Sequence, residues 1–331
     1  MYRKEKPLAL KSSASLISNN LTVLNNAEKG SINYAVIHKY LINMVCQSTD
    51  GSQVIHKQVM FKEPSAATQG TAMIMQTKWV TLRNGRSLLV LTSLKGIQIF
   101  EYDGSAMVYW HALGDSSSEA AGESTNFGRG IATVGDNLLC VGTQQGHILV
   151  FDIPVKGNSV SLANTVGGHS VAVCDLAGQD DTLVSGDENG TILLWRVQGT
   201  SLSNTSKISM NGESCCSLSI WKGILVAAFS NGQIGVYNLS TGKIGALVNA
   251  HARWINAIDV AKETGLMVSA SEDSFVRVWQ LIPGNQPSIE FKFGDTVTDQ
   301  QLVGAQFIHD GGRGFCVTGY DSSDISFFLQ N

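Results

Sequence analysis

The chain repeats one pattern of apolar and polar positions. A short apolar run is followed by a polar turn, then by a second apolar run that often ends in an aromatic residue. The pattern reads LLVLTSLKGIQIFE from Leu88, LLCVGTQQGHILVFD from Leu138 and LVSGDENGTILLWR from Leu183. It returns as ILVAAFSNGQIGVYN from Ile224, MVSASEDSFVRVWQ from Met267 and FCVTGYDSSDISFFL from Phe315. The runs alternate with period two and are rich in Val, Ile and Thr, which predicts strands; helical i, i+4 faces are absent. The first residues after the turns are Ile97, His147, Thr191, Gln233, Phe275 and Asp324, spaced 42 to 50 residues apart. That is close to the period of about 40–45 residues of a four-stranded propeller blade, lengthened by loops in two places.

A degraded seventh unit precedes these six. INYAVIHKYLINMVCQ, from Ile32, reads as two strands turning at His38-Lys39-Tyr40, the middle hairpin of blade one. The expectation is a single all-β domain over residues 1–331, a seven-bladed β-propeller, with too few residues for an eighth blade. The last hairpin ends at Leu329, so the final blade lacks an outer strand. An open ring would leave an unpaired edge. The short apolar segment Pro7 to Lys11 is expected to fill it and close the ring. Gly114 to Gly130 is rich in Ser, Gly and Glu with little to bury, and reads as a mobile loop between blades two and three.

Composition narrows the function. Charged residues are 15% of the chain and glycines number 34, which suits short strands and tight turns. The net charge is −4 and the only basic cluster is Arg3, Lys4 and Lys6, so nucleic-acid binding is not expected. No apolar stretch is long enough for a secretory core or a membrane span. The six cysteines form no CxxC pair, which fits a reduced, cytoplasmic protein. The histidines His38, His56, His111, His147 and His309 have no partner at ligand spacing, and no metal or cofactor is expected.

Two repeats carry more than strand pattern. Repeat four has Gly168-His169, Ser185, Asn189 and Trp195; repeat six has Ala250-His251, Ser269, Asp273 and Trp279. The His-to-Trp spacing is 26 in one and 28 in the other. These repeats resemble the blades of the WD-repeat family, although Arg196 and Gln280 follow the tryptophans where that family often has Asp. The resemblance implies a His in the loop leading into the blade, a Ser on its second strand, an Asp in the next turn and a Trp on its third strand, joined in a buried hydrogen-bonded chain. It predicts structural tetrads His169/Ser185/Asn189/Trp195 and His251/Ser269/Asp273/Trp279, the first with a weaker, neutral Asn189 in the acidic place. The other repeats offer Phe100, Phe151, Tyr237 and Phe328 in or near the Trp position.

No catalytic constellation competes with this reading. His251, Ser269 and Asp273 supply the residue types of a Ser-His-Asp triad, but the family geometry buries them as a hydrogen-bonded chain without oxyanion donors. Ser185 to Gly190 resembles part of a calcium loop, yet Arg196 stands where a bidentate Glu is required. Thr241-Gly242-Lys243 lacks the upstream glycine of a phosphate-binding loop. Cys215-Cys216 reads as one buried thiol and one facing a neighbouring blade.

The expected role is a non-enzymatic scaffold that binds other proteins or peptides, as a propeller that is monomeric by itself. The alternatives are a stable subunit of a larger trafficking or ubiquitin-ligase assembly, or a propeller enzyme with a central-channel site. Propellers bind where their loops cluster, at the two ends. Candidate contact residues on the tetrad end are Arg253 and Trp254, the turn residues Asp187, Glu188 and Glu272, and Tyr320 and Asp321. Arg and Trp dominate interface hot spots, although Trp254 could equally pack at the start of its strand.

Overall fold

The computed structural model describes residues 1–61, 72–114, 126–155, 157, 159–209 and 212–330. Among these the only helical segment is one 3-10 turn, Ala27–Lys29; all other regular structure is β-strand. Seven antiparallel sheets form the blades. Blades one to six are four-stranded meanders over residues 22–60, 74–112, 128–167, 173–209, 215–249 and 255–296. In each, the first strand lines a central channel and the fourth lies outermost.

Packing explains which strands the sequence advertises most clearly. A blade is covered on both faces by its neighbours, so its middle strands are buried throughout. Leu138–Thr143 and Ile224–Phe229 are buried at every position. The outer strand Ser161–Gly167 shows no buried position. The conspicuous apolar hairpins are therefore the middle pairs, and inner and outer strands leave a fainter trace. In blade one the hairpin joins Ser31–His38 to Leu41–Ser48. Lys39 sits there at φ 52 in place of a glycine. Its N–H donates to Ser15 Oγ at 2.7 Å and its carbonyl accepts Ile74 N–H at 2.8 Å, which holds the left-handed turn.

Blade seven closes the ring. Leu302–Phe307, Gly314–Gly319 and Asp324–Gln330 form three strands, and Tyr2–Lys4 is the fourth, registered Tyr2 to Gln330, Arg3 to Leu329 and Lys4 to Phe328. Leu8–Ala9 extends the pairing to Ile325 and Asp324. The closing strand thus begins earlier than the expected Pro7–Lys11 segment. The cause is the Tyr2 ring. It is 5% exposed, lies 4.9 Å from the Phe315 ring and 5.3 Å from the Phe293 ring, and its hydroxyl donates to the Gly312 carbonyl. Leu8-Ala9-Leu10 has no comparable aromatic anchor.

One further expectation changes. Gly128–Val134 is the innermost strand of blade three rather than the end of a loop, and residues 115–125 of that loop lie outside the described residues. Cys216 is the bulged residue between Cys215 and Ser217; both thiols of the pair are buried, and Cys215 packs against Gly186 of the neighbouring blade four.

Between the closing strand and blade one the chain crosses the ring as a strap. Ala14 bridges Tyr320, Ser15 N–H donates to the Ile37 carbonyl at 2.9 Å, and Asn20 N–H donates to the Val303 carbonyl at 2.9 Å. Asn19 reaches furthest: its N–H donates to the Asn256 carbonyl at 2.8 Å, and its side-chain amide donates to the Cys216 carbonyl at 3.2 Å. Asn19 sits at φ 57, a left-handed conformation that Asn tolerates. The strap therefore ties blades seven and one to blades five and six across the axis.

The closure can be tested by substitution. Replacing Tyr2 with Ala removes a buried aromatic from the closing strand and is expected to destabilise the ring by about 3 kcal/mol. Arg3→Ala, at an exposed position on the same strand, should stay within about 0.5 kcal/mol. Urea unfolding of the two variants measures the difference; equal stabilities would mean that this strand does not close the ring.

Candidate interaction face and central channel

Two tetrads organise one end of the ring. In blade six the Trp279 indole N–H donates to Ser269 Oγ at 3.0 Å, and Ser269 Oγ lies 2.8 Å from His251 Nε2. The ionised Asp273 carboxylate can only accept, so the neutral ring carries its proton on Nδ1, and Nε2 accepts the Ser269 hydroxyl proton. Nδ1–H then donates to the Asp273 carboxylate, at 3.1 and 3.2 Å to its two oxygens. Blade four repeats the chain with tighter contacts. Trp195 N–H donates to Ser185 Oγ at 2.8 Å, Ser185 Oγ lies 2.6 Å from His169 Nε2, and His169 Nδ1 lies 2.8 Å from Asp187 Oδ2.

The fourth member of blade four is therefore Asp187, not Asn189. Asn189 is exposed, and its backbone N–H donates to Asp187 Oδ1 at 3.0 Å. Asp187 comes two residues earlier, at the end of the second strand, where blade six has Ser271. From there its carboxylate meets the histidine and also accepts Thr191 N–H at 2.8 Å. The expected weak neutral bond does not occur. Asp187 also leaves the set of exposed contact candidates, being 2% exposed.

Each tetrad histidine is also fixed by the turn of the preceding blade. His251 N–H donates to the Gly232 carbonyl at 2.9 Å, and His169 N–H to that of Gly146 at 3.2 Å. Both glycines have positive φ, and a Cβ on Gly232 would lie 2.1 Å from the His251 carbonyl oxygen. No side chain fits there.

Electrostatics in blade six follows from this geometry. Burial alone would raise the Asp273 carboxyl, but hydrogen bonds from His251 and from the Ala252 and Phe275 N–H groups outweigh it and hold the carboxyl down at about 2. Burial lowers the His251 imidazole against the pull of Asp273, which favours the neutral ring. The serine hydroxyl has both an indole and an imidazole partner.

On this scaffold the candidate contact residues separate. Arg253 and Trp254 are exposed, with Trp254 46% accessible. Their backbone is nonetheless fixed: Ser271 Oγ donates to the Arg253 carbonyl at 3.2 Å, and Glu272 N–H to the Trp254 carbonyl at 3.0 Å. Tyr320 is 46% accessible beside exposed Asp321, which sits at φ 55 and donates its N–H to the Ala14 carbonyl. Glu272 is half-buried, and Glu188 is exposed in blade four.

Sequence reasoning missed a second polar system, at the hub. On most inner strands one polar side chain accepts a backbone N–H from the next blade. The pairs are Gln306 to Val23 at 2.7 Å, Thr22 to Trp79 at 3.2 Å, Gln76 to Gly130 at 2.6 Å, Asp175 to Leu218 at 2.8 Å, Ser217 to Ile258 at 3.2 Å and Asp259 to Phe307 at 2.8 Å. An isolated polar residue within an apolar inner strand, as in Val173-Cys174-Asp175-Leu176, was the available signal. These side chains border a channel of about 450 Å³. Among the described residues no group of three His, Cys, Asp or Glu is placed to hold a metal ion.

The comparisons with known proteins agree with this architecture. The WDR54 family model matches residues 1–330. WD repeat domain 54 of Rattus norvegicus and WD repeat-containing protein 54 of Mus musculus are each 38% identical over 98% of this chain and 98% of their own length. WD repeat-containing protein 54 of Homo sapiens is 37% identical over 99% of both chains. Among solved structures, a chain of a mitotic checkpoint complex superposes with a TM-score of 0.74 at 14% identity, covering 99% of this chain and 93% of that one. The RRP9 WD40 repeats superpose with a TM-score of 0.72 at 16% identity, covering 99% of this chain and 100% of that one. At such identities the structural likeness speaks for the fold.

The tetrads make distinct predictions. Trp279→Ala and Trp195→Ala should each cost about 3–5 kcal/mol. Asp187→Asn should destabilise at least as much as Asp273→Asn, whereas Asn189→Ala should stay within about 0.5 kcal/mol. The stability gap between the natural chain and Asp273→Asn should be full above the ordinary carboxylate range, near pH 4, and close as pH falls towards 2, because the fold favours the ionised carboxyl. Chemical denaturation across pH measures both effects; a gap that persists at pH 2 would remove Asp273 from the tetrad.

Proposed function

Since the chain belongs to the WDR54 family of WD-repeat propellers, we propose that it is a non-enzymatic, cytoplasmic scaffold whose partner protein docks on the tetrad face over blades six and seven. The observation that carries this reading is the Arg253-Trp254 loop. An exposed tryptophan on a surface loop normally has freedom to lose on binding. Here the backbone is held at His251 by Gly232, at Ala252 by Asp273 and at Arg253 and Trp254 by the Ser271-Glu272 turn. The side chain is thus presented at low entropic cost, which favours an anchor role. Tyr320 and Asp321 continue the surface across blade seven, Glu272 lies in the adjoining turn of blade six, and Glu188 lies further round the same face in blade four. The partner is expected to offer an apolar pocket to Trp254 and a hydrogen-bond acceptor to Arg253.

The non-enzymatic part of the reading is supported by the engaged hydroxyls of Ser185 and Ser269 and by the cysteines. Burial raises the thiols of Cys174, to about 11, and of Cys140 and Cys216, each to about 12, away from nucleophilic thiolate.

Arg253→Glu and Trp254→Ala are expected to leave the melting temperature within about 2 °C, as surface substitutions do. Each should reduce recovery of the bound partner at least about tenfold, the loss typical of a hot-spot residue. A comparative affinity capture, quantified by mass spectrometry, reads the effect. Equal partner recovery by the natural chain and both variants would move the docking site elsewhere. Native gel filtration addresses the assembly: a free scaffold elutes near 35.4 kDa, and a stable subunit far above it.

A further inference from the structure

One turn of blade one gathers an apolar patch on the tetrad face. The turn is Lys39-Tyr40, between the second and third strands, in the place that Glu272 to Ser274 take in blade six. Four exposed apolar side chains meet there: Leu16 at 52%, Tyr40 at 38%, Met60 at 43% and Met73 at 49%. Hydrogen bonds tie the chain beside each of the others to this turn. Lys39 N–H donates to Ser15 Oγ, next to Leu16, and the Lys39 carbonyl accepts Ile74 N–H, next to Met73. The Tyr40 carbonyl accepts Phe61 N–H at 3.0 Å, next to Met60. The Met73 carbonyl in turn accepts Leu94 N–H at 3.1 Å, which joins the matching turn of blade two, Leu94-Lys95.

These side chains are not spare core positions. Their chain neighbours Ile17, Phe61, Ala72 and Ile74 already fill the core between blades one and two, so Leu16, Met60 and Met73 project from a packed base. Exposed apolar side chains gathered in one place mark an interaction site, and flexible Met side chains adapt to a partner's shape.

Charge on the tetrad face is divided. Around the patch the strap and turns carry Lys11, Lys39 and Lys95, all exposed, and no carboxylate among the described residues. None of these three lysines makes an ion pair among the described residues. Across the ring, the loops and turns of blades four to seven carry Glu188, Glu213, Glu272, Asp299 and Asp321 against Arg253. An acidic partner is drawn to the first half and repelled by the second, and a basic one the reverse. An anionic lipid surface would meet the whole face at once, acidic half included. A compact acidic segment avoids that repulsion.

We propose that this patch docks a short, acidic, amphipathic segment of a partner protein. Its apolar side chains rest on Leu16, Tyr40, Met60 and Met73, and its carboxylates point towards Lys11, Lys39 and Lys95. The site shares no residue with the Arg253-Trp254 surface, so either can fail alone.

The test selects short random peptides, displayed on phage, against the full chain. Enriched peptides are synthesised and titrated by fluorescence anisotropy. They are expected to combine large apolar residues with net negative charge, and to bind less tightly as salt is added. Met73→Ser and Lys95→Glu, both at exposed positions, should each weaken binding about tenfold or more while the melting temperature holds. Lys243→Glu makes the same charge reversal in a turn at the opposite end of the ring and should leave binding unchanged. A second arm uses vesicles of phosphatidylserine and phosphatidylcholine, which the chain should not bind. Failure to enrich acidic peptides would overturn the proposal, as would undiminished binding of those peptides by folded Met73→Ser and Lys95→Glu. Vesicle binding that these two substitutions abolish would overturn it in favour of a membrane.

Discussion

Everything in this molecule depends on the pairing of Tyr2–Lys4 with the last strand. A propeller is a set of sheets that have little reason to stay in a ring until the first and last are joined. Blades one to six each complete a sheet from consecutive strands. Blade seven cannot, and without the N-terminal strand its third strand would be an open edge. Tyr2 makes the join cooperative with the core, because its ring belongs to the same apolar cluster as Val268 and Val276 of blade six and Phe315 and Phe328 of blade seven. The strap that follows carries the constraint to the hub, where Asn19 and Asn20 bind blades five, six and seven. Closure at the rim and bridging at the axis thus come from one stretch of about twenty residues at the start of the chain.

A closed ring explains how the two ends of the molecule acquire different characters. On one end, tetrads in blades four and six fix the loops leading into those blades, and each histidine is also tied to the turn of the blade before it. This is a stiff surface from which Trp254 and Tyr320 project. The other end opens into the central channel past Lys262, His309 and Asp310.

Much of this was legible in the residues. The apolar hairpins from Leu88 to Phe315 are buried on both sides, so their pattern survives in the sequence and gives the blade count. The spacing of His251, Ser269 and Trp279 identifies a tetrad because those side chains must meet at fixed strand positions. Asp187 was read wrongly since two nearby positions can bring a carboxylate to the same imidazole, and spacing cannot choose between a strand end and a turn. The closing strand was placed a few residues late because Leu8-Ala9-Leu10 looks more apolar than Tyr2-Arg3-Lys4. What decides is one aromatic anchor against residues more than 290 positions away. The hub bonds were not legible, because Asp175 and Leu218 are 43 residues apart and belong to different repeats.

The central claim is that the N-terminal strand is an integral part of the ring rather than an arm laid against it. Native-state hydrogen exchange in low denaturant addresses it directly, at the Glu5 N–H bound to the Phe327 carbonyl and the Leu10 N–H bound to the Ser323 carbonyl. If the strand closes the ring, these amides exchange through the same global opening as the buried His169 and His251 amides, with the same free energy and denaturant dependence. Exchange of Glu5 and Leu10 through a local opening, while His169 and His251 stay protected, would show a ring that holds together without its first strand and would contradict the account.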